Sequence, residues 1–344
     1  MSEHFIHQCQ TEFPVPKTMQ GMAVALGNFD GVHKGHQSVL GFALNKAKLN
    51  GLKTMMLTFE PHPQTRLVPD KPVYRLSMHD KKALLARLVG LDGILSLDFT
   101  KGFSNQSREW FIDHILLDTL QVKHVFAGYD FHFGKGRQGT PEFLQAQGAL
   151  HGFGVTIVDM KSDKTGQAVS STRIRHALKD GQIELANQLL GYHHFVSGTA
   201  LACPDALSPV RRYEGRIQLS ANDLMKPGYY AVQLVSMFGT THPALARIST
   251  SGSEKYLYYR LIDSSQMYVS QRVHVMFYRR LSEEDQVPDG SPTQLRKTIE
   301  IATQQHTHLD IDLYSYWSCL PVGLASNPNA YGSDFAPRLE TPIS

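Results

Sequence analysis

Two histidines three residues apart, His33 and His36, sit in the run Gly27-Asn28-Phe29-Asp30-Gly31-Val32-His33-Lys34-Gly35-His36. An apolar stretch precedes the run and an amphipathic one follows, so it reads as a strand-to-helix turn. Two imidazoles separated by Lys-Gly at a helix start can aim ring N–H groups and helix amides at one anion. Gly35 removes a side chain where a phosphate would approach the backbone. Such an arrangement suits charge building up on a phosphate under attack, where alignment and electrostatics do most of the catalysis. A Gly-rich turn with two incidental histidines is the plainer alternative. A zinc site on His33 and His36 lacks a third ligand nearby.

A second cluster, Ser170-Ser171-Thr172-Arg173-Ile174-Arg175, opens a helical pattern. Hydroxyls at a helix N-cap with two arginines in the first turn make a site for polyphosphate oxygens. Capping serines beside solvated arginines are the alternative. Two further segments combine turn residues with aromatic ones. They are Thr58-Phe59-Glu60-Pro61-His62-Pro63 and the run Gly128-Tyr129-Asp130-Phe131-His132-Phe133-Gly134-Lys135-Gly136-Arg137-Gln138-Gly139. A flat ring and a phosphate would suit the second, although each alone is a turn-rich loop.

These four segments must be positioned by the elements around them. Strands are expected at Met22–Leu26, Lys53–Phe59, Gly93–Leu97, His124–Ala127 and Gly154–Asp159. Helices are expected at His36–Asn50, Asp80–Val89, Ser107–Leu120, Pro141–Leu150, Thr172–Leu178 and Ile183–Leu190. Their alternation predicts a parallel α/β sheet, whose ligands collect at the carboxyl ends of the strands. Chemistry is therefore expected in the loops after Leu26, Phe59, Ala127 and Asp159. Beyond His194 the rhythm changes to β-strands at Tyr229–Val235, Tyr256–Ile262 and Arg272–Tyr278, then a helix at Pro292–Gln305. This pattern predicts a smaller antiparallel sheet or barrel closed by a helix. The tail from His306 shows no clear element.

The chain of 344 residues favours two domains, and 42% hydrophobic against 19% charged residues is a globular balance. A formal charge of +3 falls short of the basic face that nucleic acid needs, so no nucleic-acid partner is expected. Cys9, Cys203 and Cys319 are scattered and odd in number, which points to a reducing compartment. Met1 to Lys17 lacks the apolar core of a signal peptide, and no apolar run nears the roughly 18 residues of a membrane span. A cytoplasmic protein without a membrane partner is expected. Its oligomeric state is left open, a homo-oligomer included.

Taken together and in this order, GNFDGVHKGH, TFEPHP, GYDFHFGKGRQG and VSSTRIRHAL closely resemble the adenylyltransferase domain of prokaryotic bifunctional riboflavin kinase/FAD synthetases. The resemblance covers about residues 15–192, with Tyr74-Arg75-Leu76 and Leu189-Leu190-Gly191-Tyr192 also similar. It implies a Rossmann-like nucleotidyltransferase domain with a parallel sheet over 15–192. A smaller, mainly antiparallel β-barrel-like domain with a C-terminal helix would follow over 193–306, then a tail over 307–344. It implies transfer of AMP from ATP to FMN, giving FAD and pyrophosphate. The implied catalytic set is His33, His36, Ser171 and Arg173. The implied ATP-binding set is Gly27, Asn28, Phe29, Asp30, Gly35, Ser170, Thr172 and Arg175. Phe59, Pro61, His62, Asp130 and Phe131 would border FMN. Mg²⁺ would accompany ATP, held mainly by phosphates and water, with no dedicated protein ligands.

The second half is placed like the family's riboflavin kinase barrel, with Lys226-Pro227-Gly228-Tyr229-Tyr230-Ala231-Val232 resembling a barrel strand. The family's kinase signature, a Gly-rich loop leading to Pro-Thr-Ala-Asn, is missing from the sequence, and ACPDALSPVRR stands in its region. Tyr258 stands where the family places a catalytic Glu, and a phenol is a poor base at neutral pH. An adenylyltransferase with a degenerate kinase half is therefore expected. A bifunctional enzyme and a non-catalytic flavin- or nucleotide-binding protein are the alternatives.

Overall fold

The computed structural model of the protein describes residues 7–9, 15–67, 74–203, 215–220, 223–236, 240–262 and 271–282, together with 293, 296 and 297. The first unit is built on a six-stranded parallel sheet. Its strands are β1 (His7–Cys9), β2 (Ala23–Leu26), β3 (Thr54–Glu60), β4 (Gly93–Asp98), β5 (His124–Gly128) and β6 (Gly154–Val158), in the order β1-β4-β3-β2-β5-β6. The chain reverses its direction of winding at β2, so the crevice for a ligand opens between the ends of β2 and β5.

Strand β2 shows why the sheet is covered on both sides. Ala23 and Ala25 face one apolar cluster, while Val24 and Leu26 face another. The period-two alternation thus meets apolar partners on each face, as parallel sheets require. On the first face lie α1 (Lys34–Leu49), α3 (His79–Val89), α7 (Ser171–Lys179) and α8 (Ile183–Leu190). On the second lie α5 (Arg108–Trp110), the π-helical stretch Phe111–Thr119 into which it runs, and α6 (Pro141–His151). Two short helices, α2 (Pro63–Leu67) and α4 (Lys101–Ser104), follow β3 and β4 directly.

The second unit is a seven-stranded antiparallel sheet: β7 (Phe195–Thr199), β8 (Leu201–Ala202), β9 (Gly215–Leu219), β10 (Gly228–Ser236), β11 (Thr241–Ser251), β12 (Glu254–Leu261) and β13 (Arg272–Ser282). The order is β7-β13-β10-β11-β12-β9-β8. It curls almost into a barrel, because β7 backs onto β9 where a Cβ on Gly198 would lie 2.3 Å from Ile217 Cγ2. Only glycine permits that approach. Ile217, Tyr230, Val232, Leu257, Tyr259 and Phe277 fill the interior and belong to the same apolar cluster as the helices of the first unit. One core therefore runs through both units.

Five strands escape the periodicity reading. Strands β1, β8 and β9 are short, and β7 carries Ser, Gly and Thr in place of apolar residues. Strand β11 is long and paired on both sides, yet Thr241-His242-Pro243 at its start hides it. Of the helix expected at Pro292–Gln305, residues 293, 296 and 297 are helical, and the rest lies outside the described residues. The tail from His306 and most of ACPDALSPVRR also lie outside them.

Candidate active site

Loops from the carboxyl ends of β2, β3, β5 and β6 meet around a cavity of about 510 Å³. The β2 loop is the most constrained. Phe29, Gly31 and Val32 all have positive φ, at 48°, 84° and 38°, a strained conformation for a β-branched residue such as Val32. The surroundings hold it there. Gly31 N–H donates to Ser77 Oγ at 2.8 Å, and Ser171 Oγ donates to the Asp30 carbonyl at 2.8 Å. A Cβ on Gly31 would lie 2.9 Å from Leu76 Cδ1, so the turn requires glycine for space as well as for φ.

Asp30 is the buried hub of this loop. Its carboxylate accepts from the amides of Leu76 and Ser77 at 3.1 and 2.9 Å and from Arg175 Nη2 at 2.5 Å. Burial alone would raise its pKa. The Arg175 guanidinium and the two amides outweigh burial and hold it below the ordinary carboxylate value. Arg175 is also bound to the Tyr74 carbonyl at 2.6 Å, so it ties α7 to the β2 loop.

His33 caps α1, its Nδ1 accepting from the His36 amide at 3.3 Å. The two rings stack with centroids 3.7 Å apart, and Phe29 meets His36 edge-on at 5.3 Å. Burial lowers the pKa of His33 to about 4 and that of His36 well below its ordinary value. Both are neutral near pH 7, so they present N–H donors and not cations. His36 Nδ1 is buried without a hydrogen-bond partner among the described residues, the kind of orphan a ligand satisfies. A Cβ on Gly35 would stand 3.1 Å from the His33 ring, so this glycine makes room for the imidazole as well as for a phosphate.

Helix α7 starts at the same cavity with Ser170 as its N-cap, accepting from the Arg173 amide at 3.3 Å. Across the cavity, Phe59 meets Phe99 and Phe103 at 5.9 Å each, and Phe103 meets Trp110 edge-on at 5.9 Å. These rings lead into a second hollow of about 280 Å³ that shares Leu67, Phe99, Phe103, Phe111, Gly134 and Arg137 with the first. The site thus has a polar end at the starts of α1 and α7 and an aromatic end between β3 and β5.

Of the residues singled out from sequence, the cavity is lined by Gly27, Asn28, Phe29, Asp30, His33, Gly35, His36, Phe59, His62, Asp130, Phe131, Ser170, Ser171, Thr172 and Arg175. Pro61 and Arg173 are not among the lining residues. Arg173 instead pairs with Asp163 at 2.5 Å and donates to the carbonyls of Ala168 and Gln167, at 2.9 and 3.3 Å, fastening the loop after β6. Burial lowers the pKa of His62 to about 4.

Sequence reasoning missed the aromatic group Phe99, Phe103, Trp110 and Phe111. The signal was available, because Phe99 and Phe103 follow the carboxyl end of β4, where the same rule places ligand loops. Lys82 was missed for a different reason: a lysine beside Lys81 in a helical pattern looks solvent-facing. It is fully buried, donates to Thr58 Oγ1 at 3.0 Å, and burial lowers its pKa to about 8. Among the described residues no group of three His, Cys, Asp or Glu could hold a metal ion, and no helix is long and apolar enough to cross a membrane.

Residues 15–173 match the family described as FAD synthetase. The bifunctional riboflavin kinase/FMN adenylyltransferase of Pseudomonas fluorescens is 33% identical over 270 residues, covering 77% of this chain and 86% of that protein. The Listeria monocytogenes protein of the same description is 39% identical over 228 residues, covering 65% of this chain and 71% of its own. The Escherichia coli protein is 29% identical over 278 residues, covering 77% and 86%. A crystal structure described as a macrolide-efflux protein from Streptococcus pneumoniae shares the fold, with TM-score 0.68 at 22% identity over 86% of this chain and 97% of that one.

Proposed function

The chain belongs to the family of bifunctional riboflavin kinases/FMN adenylyltransferases, and from that premise we propose how its own residues carry the adenylyl transfer. The reaction joins AMP from ATP to FMN, giving FAD and pyrophosphate. The observation that carries this assignment to the cavity is its two-ended build, with anion-binding helix starts opposite a cluster of aromatic rings. ATP occupies the polar end and the flavin ring lies among Phe59, Phe99 and Phe103, with Asp130 and Phe131 bordering it.

The FMN phosphate is anionic at neutral pH and needs no general base. One of its oxygens attacks the α-phosphorus of ATP, the bond from that phosphorus to the bridging oxygen breaks, and pyrophosphate leaves with the electron pair. The obstacle is repulsion between two anions, about 4 kcal/mol for unit charges 4 Å apart at an effective dielectric of 20. His33 and His36 donate N–H groups from a water-poor turn, and the free amides at the start of α1 add their partial charge. The hydroxyls of Ser170 and Thr172 line the triphosphate, while Ser171 holds the Asp30 carbonyl of the β2 loop. Arg175 keeps Asp30 paired so that this carboxylate does not repel the nucleotide.

Asp130 and Asp159 line the cavity, whereas Asp30 is committed to Arg175 and Ser77. A Mg²⁺ ion carried by the triphosphate would be held mainly by phosphate oxygens and water, with Asp159 as the carboxylate on the β6 loop, and would neutralise phosphate charge.

The barrel half has lost the kinase reaction in this proposal. Tyr258 lies on the outer face of the barrel, paired across the strands with Arg247 and Arg216, where the family places a glutamate. The family's Pro-Thr-Ala-Asn tetrapeptide is missing from the sequence. A product assay by chromatography tests both halves. FAD from ATP and FMN, with no FMN from ATP and riboflavin, is the expected outcome. FMN appearing from riboflavin overturns the kinase loss, and no FAD from FMN overturns the adenylyltransferase.

A further inference from the structure

The strained turn Gly31–His33 is held from the barrel side as well as from its own domain. Tyr192, fully buried in the segment joining the two units, donates from its hydroxyl to the Gly31 carbonyl at 2.6 Å. Gln37, one turn into α1, donates from Nε2 to the Val32 carbonyl and to the Leu190 carbonyl, each at 2.8 Å. One amide group thus staples the catalytic turn to the end of α8. Gly191, with φ +82°, packs against Gln37 and Lys34, where a Cβ would lie 3.0 Å from either side chain.

The other end of this staple is anchored in the barrel. Asn187 of α8 donates to the Phe277 carbonyl of β13 at 2.9 Å and accepts from the His194 amide at 2.7 Å. His194 in turn accepts at its carbonyl from the Phe277 amide at 2.8 Å. Lys81, from α3, donates to the Phe195 carbonyl at 2.8 Å with its ammonium 4.2 Å from the centre of the Phe195 ring. Hydrogen bonds at both ends of the joining segment therefore connect β13, through Asn187, to the carbonyls of Gly31 and Val32, through Tyr192 and Gln37.

We propose that the barrel is a working part of the adenylyl-transfer site, with Asn187, Tyr192 and Gln37 as positioning residues that hold the Gly31–His33 turn in its anion-binding shape. This rests on the adenylyltransferase assignment above. It gives a physical reason for a barrel without kinase chemistry to be kept: a turn with positive φ at Val32, a β-branched residue, persists only where its surroundings over-determine it. None of the three side chains need touch a substrate. Their effect passes through the carbonyls of Gly31 and Val32 to the rings of His33 and His36.

The test uses the full chain with Tyr192→Phe, Gln37→Glu, their double variant, and Asn187→Ala. FAD formation is measured as kcat and as KM for FMN, and ATP binding is measured by calorimetric titration. Each of the first two is expected to lower kcat roughly tenfold while KM for FMN stays within about twofold, because the aromatic end is untouched. The double variant is expected to lose clearly less than the product of the single losses, as for residues acting as one unit. Asn187→Ala is expected to shift kcat in the same direction. Tyr192→Phe and Gln37→Glu with unchanged kcat and ATP affinity overturn the clamp. An impaired Tyr192→Phe beside an unimpaired Asn187→Ala overturns the role of the barrel. A wild-type protein that binds ATP but forms no FAD defeats the adenylyltransferase assignment instead, and the ATP titrations then judge the clamp alone.

Discussion

The two halves use their aromatic side chains in opposite ways. In the barrel, Tyr230, Tyr259 and Phe277 point inward and fill the interior, and Tyr230 spends its hydroxyl on the Lys226 carbonyl. In the parallel-sheet half, Phe59, Phe99, Phe103 and Trp110 surround open space, and His36 keeps a buried nitrogen without a partner among the described residues. An interior filled by its own side chains is a structural solution. An aromatic hollow beside a buried imidazole nitrogen without a partner has the build of a ligand pocket. The difference separates a half with an open aromatic cavity from a half whose described interior is filled.

The contrast breaks most readily at His36. Replacing it with alanine is expected to lower kcat/KM for FAD formation by roughly 10²–10³, the usual effect of removing a donor to developing charge. Thermal denaturation of the same variant is expected to stay near wild type. A loss under tenfold would mean that the helix start carries the catalysis without this imidazole.

Acid sharpens the comparison next. Burial depresses His33 and His62 to about 4 in the first half, and His274 to about 3 in the barrel. Histidines with depressed folded values contribute stability above the unfolded pKa near 6.5, and it is lost as pH falls toward the folded values. Each contributes about 1.4 kcal/mol per pH unit across that window. Denaturant titrations at pH 7 and pH 5 are therefore expected to show a loss of several kcal/mol, with both halves affected. Equal midpoints at the two pH values would contradict the neutral, buried state of these rings.

The aromatic end gives a smaller effect. Phe103→Ala removes one wall shared by both hollows and is expected to raise KM for FMN roughly tenfold, with KM for ATP within about twofold. Equal effects on the two substrates would place the flavin elsewhere. The smallest effect is expected in the barrel. Tyr258→Phe is expected to leave FAD formation within about twofold of wild type, and a larger loss would bring the outer face of the barrel into the reaction.

The candidate anion-binding turns and the core strands of the first half are legible in the sequence. HxGH placed between a strand and a helix, and Ser-Ser-Thr-Arg at a helix start, are local patterns whose meaning depends on a few neighbouring residues. The apolar runs of β2 to β6 are legible because parallel strands covered on both faces are apolar throughout. Strands β7 and β9 were illegible because their place is fixed by closure of the barrel, down to the contact of Gly198 with Ile217, and not by their own periodicity.

How the charged groups divide their work depends on contacts between distant segments. Arg173 and Arg175 look equivalent in sequence, yet two residues along a helix differ by about 200° in direction. Arg173 therefore meets Asp163 on the loop after β6, and Arg175 meets Asp30. Lys82 likewise became a buried donor to Thr58 because α3 turns that face toward the sheet. Tyr192 met Gly31 across 161 residues of chain. Local spacing can announce an anion site. Which side chain touches the ligand, and which one holds the backbone that does, follows from contacts between segments far apart in the chain.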